Sequence, residues 1–243
     1  MTSVERRIWV LQLTMYTLVI GNRNYSSWSL RAWLYLRASG IEFTTERLSL
    51  FAESWPKSID SVSPAGRVPV LVDGERAIWD SLAIVEYLRE HEPTALDYPH
   101  EPSARAHARS IVAEMHSGFM SIRGELPQNL KRVDAIDPGS LTESCRQQIK
   151  RINSMWRELR RRYSADGEWL FGDFSVADVF YAPVALRFRS YGITLSPEAQ
   201  SFVTSVSAYP LIGEWTAAAL KEPDSLDFID NLVSVDKAPL VLG

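Results

Sequence analysis

Tyr16-Thr-Leu-Val-Ile-Gly-Asn-Arg-Asn-Tyr-Ser-Ser-Trp-Ser-Leu-Arg31 joins two patterns that fix how the rest of the chain is read. The first five residues, mostly β-branched or aromatic and ended by Gly21, predict a buried strand. Ser27 to Ser39 predicts a helix, with serines at its start, Trp28, Leu30, Trp33, Leu34 and Leu36 within, and Gly40 as the stop. Three hydroxyls, Ser26, Ser27 and Ser29, crowd the beginning of that helix. One of them suffices as a cap. A helix N-terminus also presents unpaired N–H groups and a partial positive charge, which favour an anion. Both readings stand, and three serines exceed what capping requires.

Outward from this stretch, Glu42 to Leu48 predicts a second strand and Val68 to Val72 a third. Asp73-Gly74 is a hairpin signal, followed by a short strand from Ala77 to Trp79. Ser81 to His91 is helical, with Leu82, Val85 and Leu88 three apart on one face. The order β-α-β, connector, β-β-α requires one parallel and one antiparallel pairing, hence a small mixed sheet with helices on its faces. Pro93, Pro99 and Pro102 punctuate a loop, after which helical patterns recur at 103–123, 140–163, 175–189, 196–207 and 210–221. The expected division is an extension at 1–15, a mixed α/β domain at 16–92, a linker at 93–102 and an all-helical domain at 103–243. Met15 stands where such a chain could begin.

The 243 residues carry 26 basic and 30 acidic side chains, a net charge of −4, which argues against a nucleic-acid coat. There are 21 arginines against 5 lysines, a bias that coding composition explains as well as anionic ligands do. A single cysteine, Cys145, excludes an internal disulfide framework. The histidines, His91, His100, His107 and His116, form no HExxH or HxxxH pair, so no metal is expected. No apolar run reaches the ~20 residues of a membrane span. A soluble, cytoplasmic protein is expected, with neither nucleic-acid nor membrane partners.

Two further segments carry binding chemistry. In Ser63-Pro-Ala-Gly-Arg-Val-Pro-Val-Leu71, Pro69 sits where a strand begins. A cis bond there would turn the polar backbone of Val68 outward, but a trans turn is the expectation, since few X–Pro bonds are cis. At Trp79-Asp80-Ser81, Ser81 is expected to cap the next helix, with Asp80 just before it. The same two groups suit a ligand bearing an ammonium and a carboxylate.

Together these segments resemble the glutathione-binding half of a glutathione S-transferase. Ser26-Ser-Trp-Ser-Leu-Arg31 is similar to the SSCSxR signature of the zeta class, whose members isomerise maleylacetoacetate; Trp28 stands at the cysteine position. Asp80-Ser81 stands where Glu-Ser is more common. Phe174-Ser-Val-Ala-Asp-Val-Phe-Tyr-Ala-Pro183 resembles the family's SxADxxxxP capping motif, in which Ser175 and Asp178 would cap each other's N–H groups, a structural role. Through Ala113-Glu-Met-His-Ser-Gly-Phe119 the likeness is to a bacterial zeta-like group.

The resemblance implies a thioredoxin-like N-terminal domain with a mixed four-stranded sheet, a C-terminal all-helical domain, and a homodimer. It implies glutathione as co-substrate and a serine-stabilised thiolate attacking a small apolar electrophile. Ser26 is the first choice for the thiolate and Ser27 the second. Val68 and Pro69, with Asp80 and Ser81, would hold the peptide, and Arg67 would reach its glycyl carboxylate or remain a solvated turn residue. Trp28, Arg31, Met115, His116, Phe119 and Arg123 would face the second substrate, although a stripe at helical spacing is commonly core. Three alternatives stay open: a maleylacetoacetate isomerase-like enzyme, a glutathione-dependent disulfide reductase or peroxidase, and a non-enzymatic binding module.

Overall fold

The computed structural model describes residues 16–50, 52 and 54–231; the expected extension at 1–15 lies outside them. Strand β1 (Tyr16–Ile20) is followed by α1 (Ser27–Ala38), β2 (Phe43–Arg47), α2 (Trp55–Asp60), β3 (Val70–Asp73), β4 (Arg76–Trp79) and α3 (Ser81–His91). β1 pairs with β2 in parallel and with β3 antiparallel, and β4 closes the far edge, giving the order β2-β1-β3-β4. Leu18 lies opposite Leu71, which lies opposite Ile78, so one apolar row crosses the sheet. β1 reads as a nearly continuous apolar run because both faces of a central strand are covered. Gly74, at φ 58°, supplies the left-handed residue of the β3–β4 turn.

The helical half comprises α4 (Pro102–Ser117), α5 (Met120–Glu125), a 3₁₀ turn at Pro138–Ser140, α6 (Glu143–Tyr163), α7 (Val176–Ser190), α8 (Pro197–Ala208), α9 (Pro210–Lys221) and the short α10 (Asp227–Asp230). The single helix expected over 103–123 is two. Phe119 takes a left-handed backbone, φ 60°, where a side chain costs roughly 1–3 kcal/mol, and α4 ends there. Arg123 closes the break by donating Nε to the Gly118 carbonyl and Nη2 to the Met115 carbonyl. Helical spacing runs through the break, which is why it leaves no mark on the sequence pattern.

α7 runs through the middle of the helical half, with all but one of its fifteen residues buried. Trp156 packs there against Tyr181, Phe188 and Phe202, at ring separations of 4.8 to 5.9 Å. Full burial of each such ring contributes about 1.5–3 kcal/mol. The start of α7 is tied down by Asp178, whose carboxylate accepts from the Ser175 N–H at 2.8 Å, the Ser175 hydroxyl at 2.9 Å and the Leu170 N–H at 2.9 Å. The two halves share one core. α1 packs on α7 and α9, and Trp33 meets Trp215 at 5.1 Å. The serine-bearing end of α1 is therefore placed by the helical half as much as by the sheet.

Candidate active site

A cleft of about 230 Å³ opens at the N-terminus of α1, between the two halves. Of the residues expected to act, it brings together Ser26, Ser27, Trp28, Arg67, Val68 and Arg123. Its other walls are residues that the sequence pattern does not single out, chiefly Gln128 and Arg187 from the helical half and Leu226 and Ile229 from the segment after α9.

The three serines have different duties. Ser26 is the N-cap of α1: its Oγ accepts from the Ser29 N–H at 3.2 Å and donates to Ser29 Oγ at 2.8 Å. Ser29 Oγ in turn accepts from the Gly21 N–H at 3.0 Å, so both hydroxyls knit strand β1 to helix α1. Ser27 is the first helical residue, and its Oγ accepts from Arg187 Nη2 at 3.0 Å. Among the described residues no acceptor takes the Ser27 proton.

Three arginines are buried around this corner. Arg31 is 0% exposed, and Nε, Nη1 and Nη2 all lack a hydrogen-bond partner among the described residues. Its guanidinium lies 4.6 Å from the Trp28 ring and 5.2 Å from Phe180, and Arg123 lies 4.7 Å from the same Trp28 ring. Arg123 Nη1 and Arg187 Nε and Nη1 are likewise unpartnered. Burial pushes Arg123 down to about 10. Burial, then the charge of Arg123, pushes Arg187 down to about 9. Arg31 is also held well below the usual guanidinium range, first by burial and then by Arg123 and Arg187. Among the described residues none of the three makes an ion pair, and only the charge of Asp80 offsets Arg31 in part; cations buried against one another in this way are costly by several kcal/mol, and an anion delivered to them would relieve that cost.

Val68 precedes β3 and meets the cleft, and the Val68–Pro69 bond is cis, against the expected trans turn. Arg67 is exposed at the cleft rim beside Gly66, whose φ is 64°. At α3 the expected roles are exchanged. Asp80 is the N-cap, at φ 78°, with Oδ1 accepting from the Leu82 N–H at 2.8 Å and the Ala83 N–H at 3.3 Å. Ser81 is the first helical residue, fully buried, its hydroxyl unpartnered among the described residues. The outer oxygen of Asp80 faces His116 Nε2 at 3.4 Å, and His116 stands edge-on to Trp28 at 5.4 Å. Asp80, Ser81 and His116 thus adjoin the cleft through Trp28 and do not line it. Met115 is fully buried in the core, and Phe119 lines a separate shallow groove with Ser144 and Gln148, so neither faces this cleft.

The β1–α1 loop is held from outside its own domain. Asn24 donates to Asn129 at 3.0 Å and accepts from the Lys131 N–H at 3.0 Å. Arg23 pairs with Glu222 at 3.0 Å, and Tyr25 donates to Asp230 at 2.7 Å. Arg47 and Ser49 both bond Asp224, at 2.9 Å each. The stretch 222–230 is thereby strapped across the loop, and Leu226 and Ile229 become cleft walls.

A sheet of this order, an all-helical partner half and a cleft between them at the first helix N-terminus define a two-domain protein of the thioredoxin-like and helical kind. Comparison with known proteins agrees. The glutathione S-transferase N-terminal domain matches residues 25–91, and the glutathione S-transferase C-terminal domain matches residues 106–218. A probable maleylacetoacetate isomerase of Caenorhabditis elegans is 29% identical over 177 residues, 72% of this chain and 79% of that protein. A glutathione transferase homologue from Burkholderia GL BGR1, solved with bound glutathione, superposes with TM-score 0.66 at 23% identity over 86% of this chain and 100% of that one. A maleyl pyruvate isomerase, a bacterial zeta-class glutathione S-transferase, superposes with TM-score 0.65 at 21% identity over 86% of this chain and 100% of that one. The chain belongs to the glutathione S-transferase family, and it is a glutathione-dependent enzyme with glutathione as co-substrate. Among the described residues no group of acidic, histidine or cysteine side chains is arranged to hold a metal, and no helix is long and apolar enough to cross a membrane.

Proposed function

We propose that Ser27, rather than Ser26, donates the hydrogen bond that stabilises the glutathione thiolate, and that the second substrate is an electrophile with an apolar body and an acid group. The observation that carries the first part is the division of labour at α1. The Ser26 proton is already given to Ser29 Oγ, whereas the Ser27 proton is left for a ligand. The residues lining the cleft fit a tripeptide thiol, with a hydroxyl at a helix N-terminus for sulfur, Val68 beside it and Arg67 at the rim; outside that lining, Asp80 and the buried, unpartnered Ser81 hydroxyl stand at the start of α3.

A free thiol titrates near 8.5, and lowering it about two units takes about 2.7 kcal/mol of preferential anion binding. A hydrogen bond from a hydroxyl to a charged acceptor supplies roughly 1.5–3 kcal/mol and a helix N-terminus about 0.3–1 kcal/mol. Ser27 and α1 together reach that sum without a general base, the thiol proton passing to solvent. Asp80 would hold the γ-glutamyl ammonium and Ser81, with the first N–H groups of α3, its carboxylate.

The second part rests on the unpartnered nitrogens of Arg123 and Arg187 beside apolar Trp28, Leu226 and Ile229. Sulfur adding to an activated carbon serves transfer when a group leaves, and isomerisation when the adduct expels the thiolate again. The arginine-lined wall favours the isomerase alternative over attack on a purely apolar electrophile. A homodimer and a reducing cytoplasm belong to the same reading, the latter because the thiol form is consumed.

The test is a substrate panel run with Ser26→Ala and Ser27→Ala: chlorodinitrobenzene, an unsaturated cis-dicarboxylic keto acid, a peroxide and a mixed disulfide. Turnover of the keto acid well above the others, lost in Ser27→Ala, supports the reading. Activity confined to the peroxide or disulfide, or glutathione binding with no turnover, overturns the choice of substrate. Full activity in Ser27→Ala overturns the serine assignment.

A further inference from the structure

Arg187 reaches Ser27 from α7, across 160 positions of sequence, and the contact with Ser27 Oγ at 3.0 Å is the one hydrogen bond of its guanidinium among the described residues. It is 5% exposed and has no carboxylate partner there. A charged guanidinium buried in this way does not stabilise the fold, since its desolvation is not offset by a counter-charge. Nor is it needed to cap α1, because Ser26 does that.

We propose that Arg187 is a positioning residue for thiol activation, orienting the Ser27 hydroxyl toward sulfur and passing positive charge to the thiolate through it. The proposal rests on Ser27 being the thiolate donor. A serine hydroxyl has one proton and two lone pairs, while a guanidinium has donors only. With Nη2–H on one lone pair, Ser27 cannot donate to Arg187, and its proton turns to the cleft. Accepting from a charged donor also polarises the O–H bond, making it a stronger donor to the anion beyond. No proton is exchanged with Ser27 or Arg187: the thiol proton leaves to solvent, and both side chains keep theirs. The downward pressure on Arg187 from burial and from Arg123 agrees with a cation held for an anion that arrives later.

The experiment follows the ultraviolet absorbance of the bound thiolate against pH, at saturating glutathione, in the wild type, Ser27→Ala, Arg187→Lys, Arg187→Met and the Ser27→Ala/Arg187→Met pair. Arg187→Met should raise the bound thiol pKa by about one unit, a tenfold loss of thiolate well below that pKa. In the Ser27→Ala background the same change should add less than about a third of a unit, because the intermediary is gone. Arg187→Lys should recover part of the shift, and kcat in Arg187→Met should recover at alkaline pH. If Ser27→Ala shifts the titration and Arg187→Met does not, the role of Arg187 is overturned and that of Ser27 survives. If Ser27→Ala leaves the titration unmoved, the serine assignment falls and this proposal with it. If Arg187→Met shifts both backgrounds equally, the guanidinium acts by its field alone and the positioning role is overturned. Should Arg187→Met not fold, Arg187→Lys and Arg187→Gln carry the same comparison.

Discussion

Replacing Ser26 by alanine separates a capping serine from a chemical one. In this structure Ser26 Oγ serves two bonds, accepting from the Ser29 N–H and donating to Ser29 Oγ, and it is 6% exposed. Loss of an N-cap costs about 1 kcal/mol, within a range of roughly 0.5–2. Removing the donor to Ser29 Oγ costs about another 1 kcal/mol, because water does not readily replace it in a buried knot. A total near 2 kcal/mol in a chain of this size lowers Tm by about 4–8 °C. The thiolate itself should not notice, and the bound glutathione pKa should stay within about 0.3 units. Two measurements decide: calorimetry of the free protein and the thiolate titration. A Ser26→Ala protein that melts within about 1 °C of wild type yet titrates about a unit higher would refute the division of labour described here.

Other expectations follow from buried titratable groups. Cys145 is fully buried and its thiol is pushed up to about 12, chiefly by burial and then by Glu125, so Cys145→Ala should keep turnover within about twofold, or about 0.4 kcal/mol. A hundredfold loss in a steady-state assay would sink that expectation. Asp178→Asn should cost about 2–4 kcal/mol in a denaturant melt, since an amide must turn an NH₂ toward one of three donors that now point at a carboxylate. Burial also pushes Asp178 up to about 6, so the unfolded chain loses this proton first as pH rises. Its contribution to stability is therefore fully present below about pH 4 and lost by about pH 6, and the difference in stability between wild type and Asp178→Asn should change across that window. His116 is displaced the other way, its pKa lowered first by burial, with Asp80 opposing and Arg31 and Arg123 adding. The unfolded chain then takes that proton first on acidification, and stability falls as pH drops below about 6.5. His116→Asn should lose less over that range in thermal melts, and an unchanged slope would count against the burial of this imidazole.

Where local chemistry settles a structure, the sequence was readable. The β1 run, the serines of α1, Gly40 at φ 68° and the Asp73-Gly74 turn all act through their immediate neighbours. The same holds for Ser175 with Asp178, three positions apart. Even there the cap differs by one residue from the Ser81 that the sequence pattern predicts, because the positive-φ backbone of Asp80 puts its carboxylate over the Leu82 and Ala83 N–H groups. Met115, His116, Phe119 and Arg123 keep helical spacing, yet they meet the core, Asp80, a separate groove and the cleft respectively, the last two being redirected by the turn at Phe119. Arg187 and Gln128 carried no signal, since their meaning comes from segments packed against residues a hundred or more positions away. Gln128 is 2% exposed with both amide atoms unpartnered among the described residues, a feature that only three dimensions reveal. α10, at four residues, is too short for any periodicity.

The strap from Glu222 to Asp230 gives the cleft a history during synthesis. Arg23 meets Glu222 across 199 residues and Tyr25 meets Asp230 across 205. A ribosome adding about 5–20 residues per second delivers these partners about 10–40 s after the loop they hold. Through that interval the sheet has its serines but not the wall that Leu226 and Ile229 supply, and Arg187 joins only in its last part. A complete cleft thus exists only once the segment after α9 has emerged, and a ribosome stalled before Glu222 displays a half-built cleft that lacks Leu226 and Ile229.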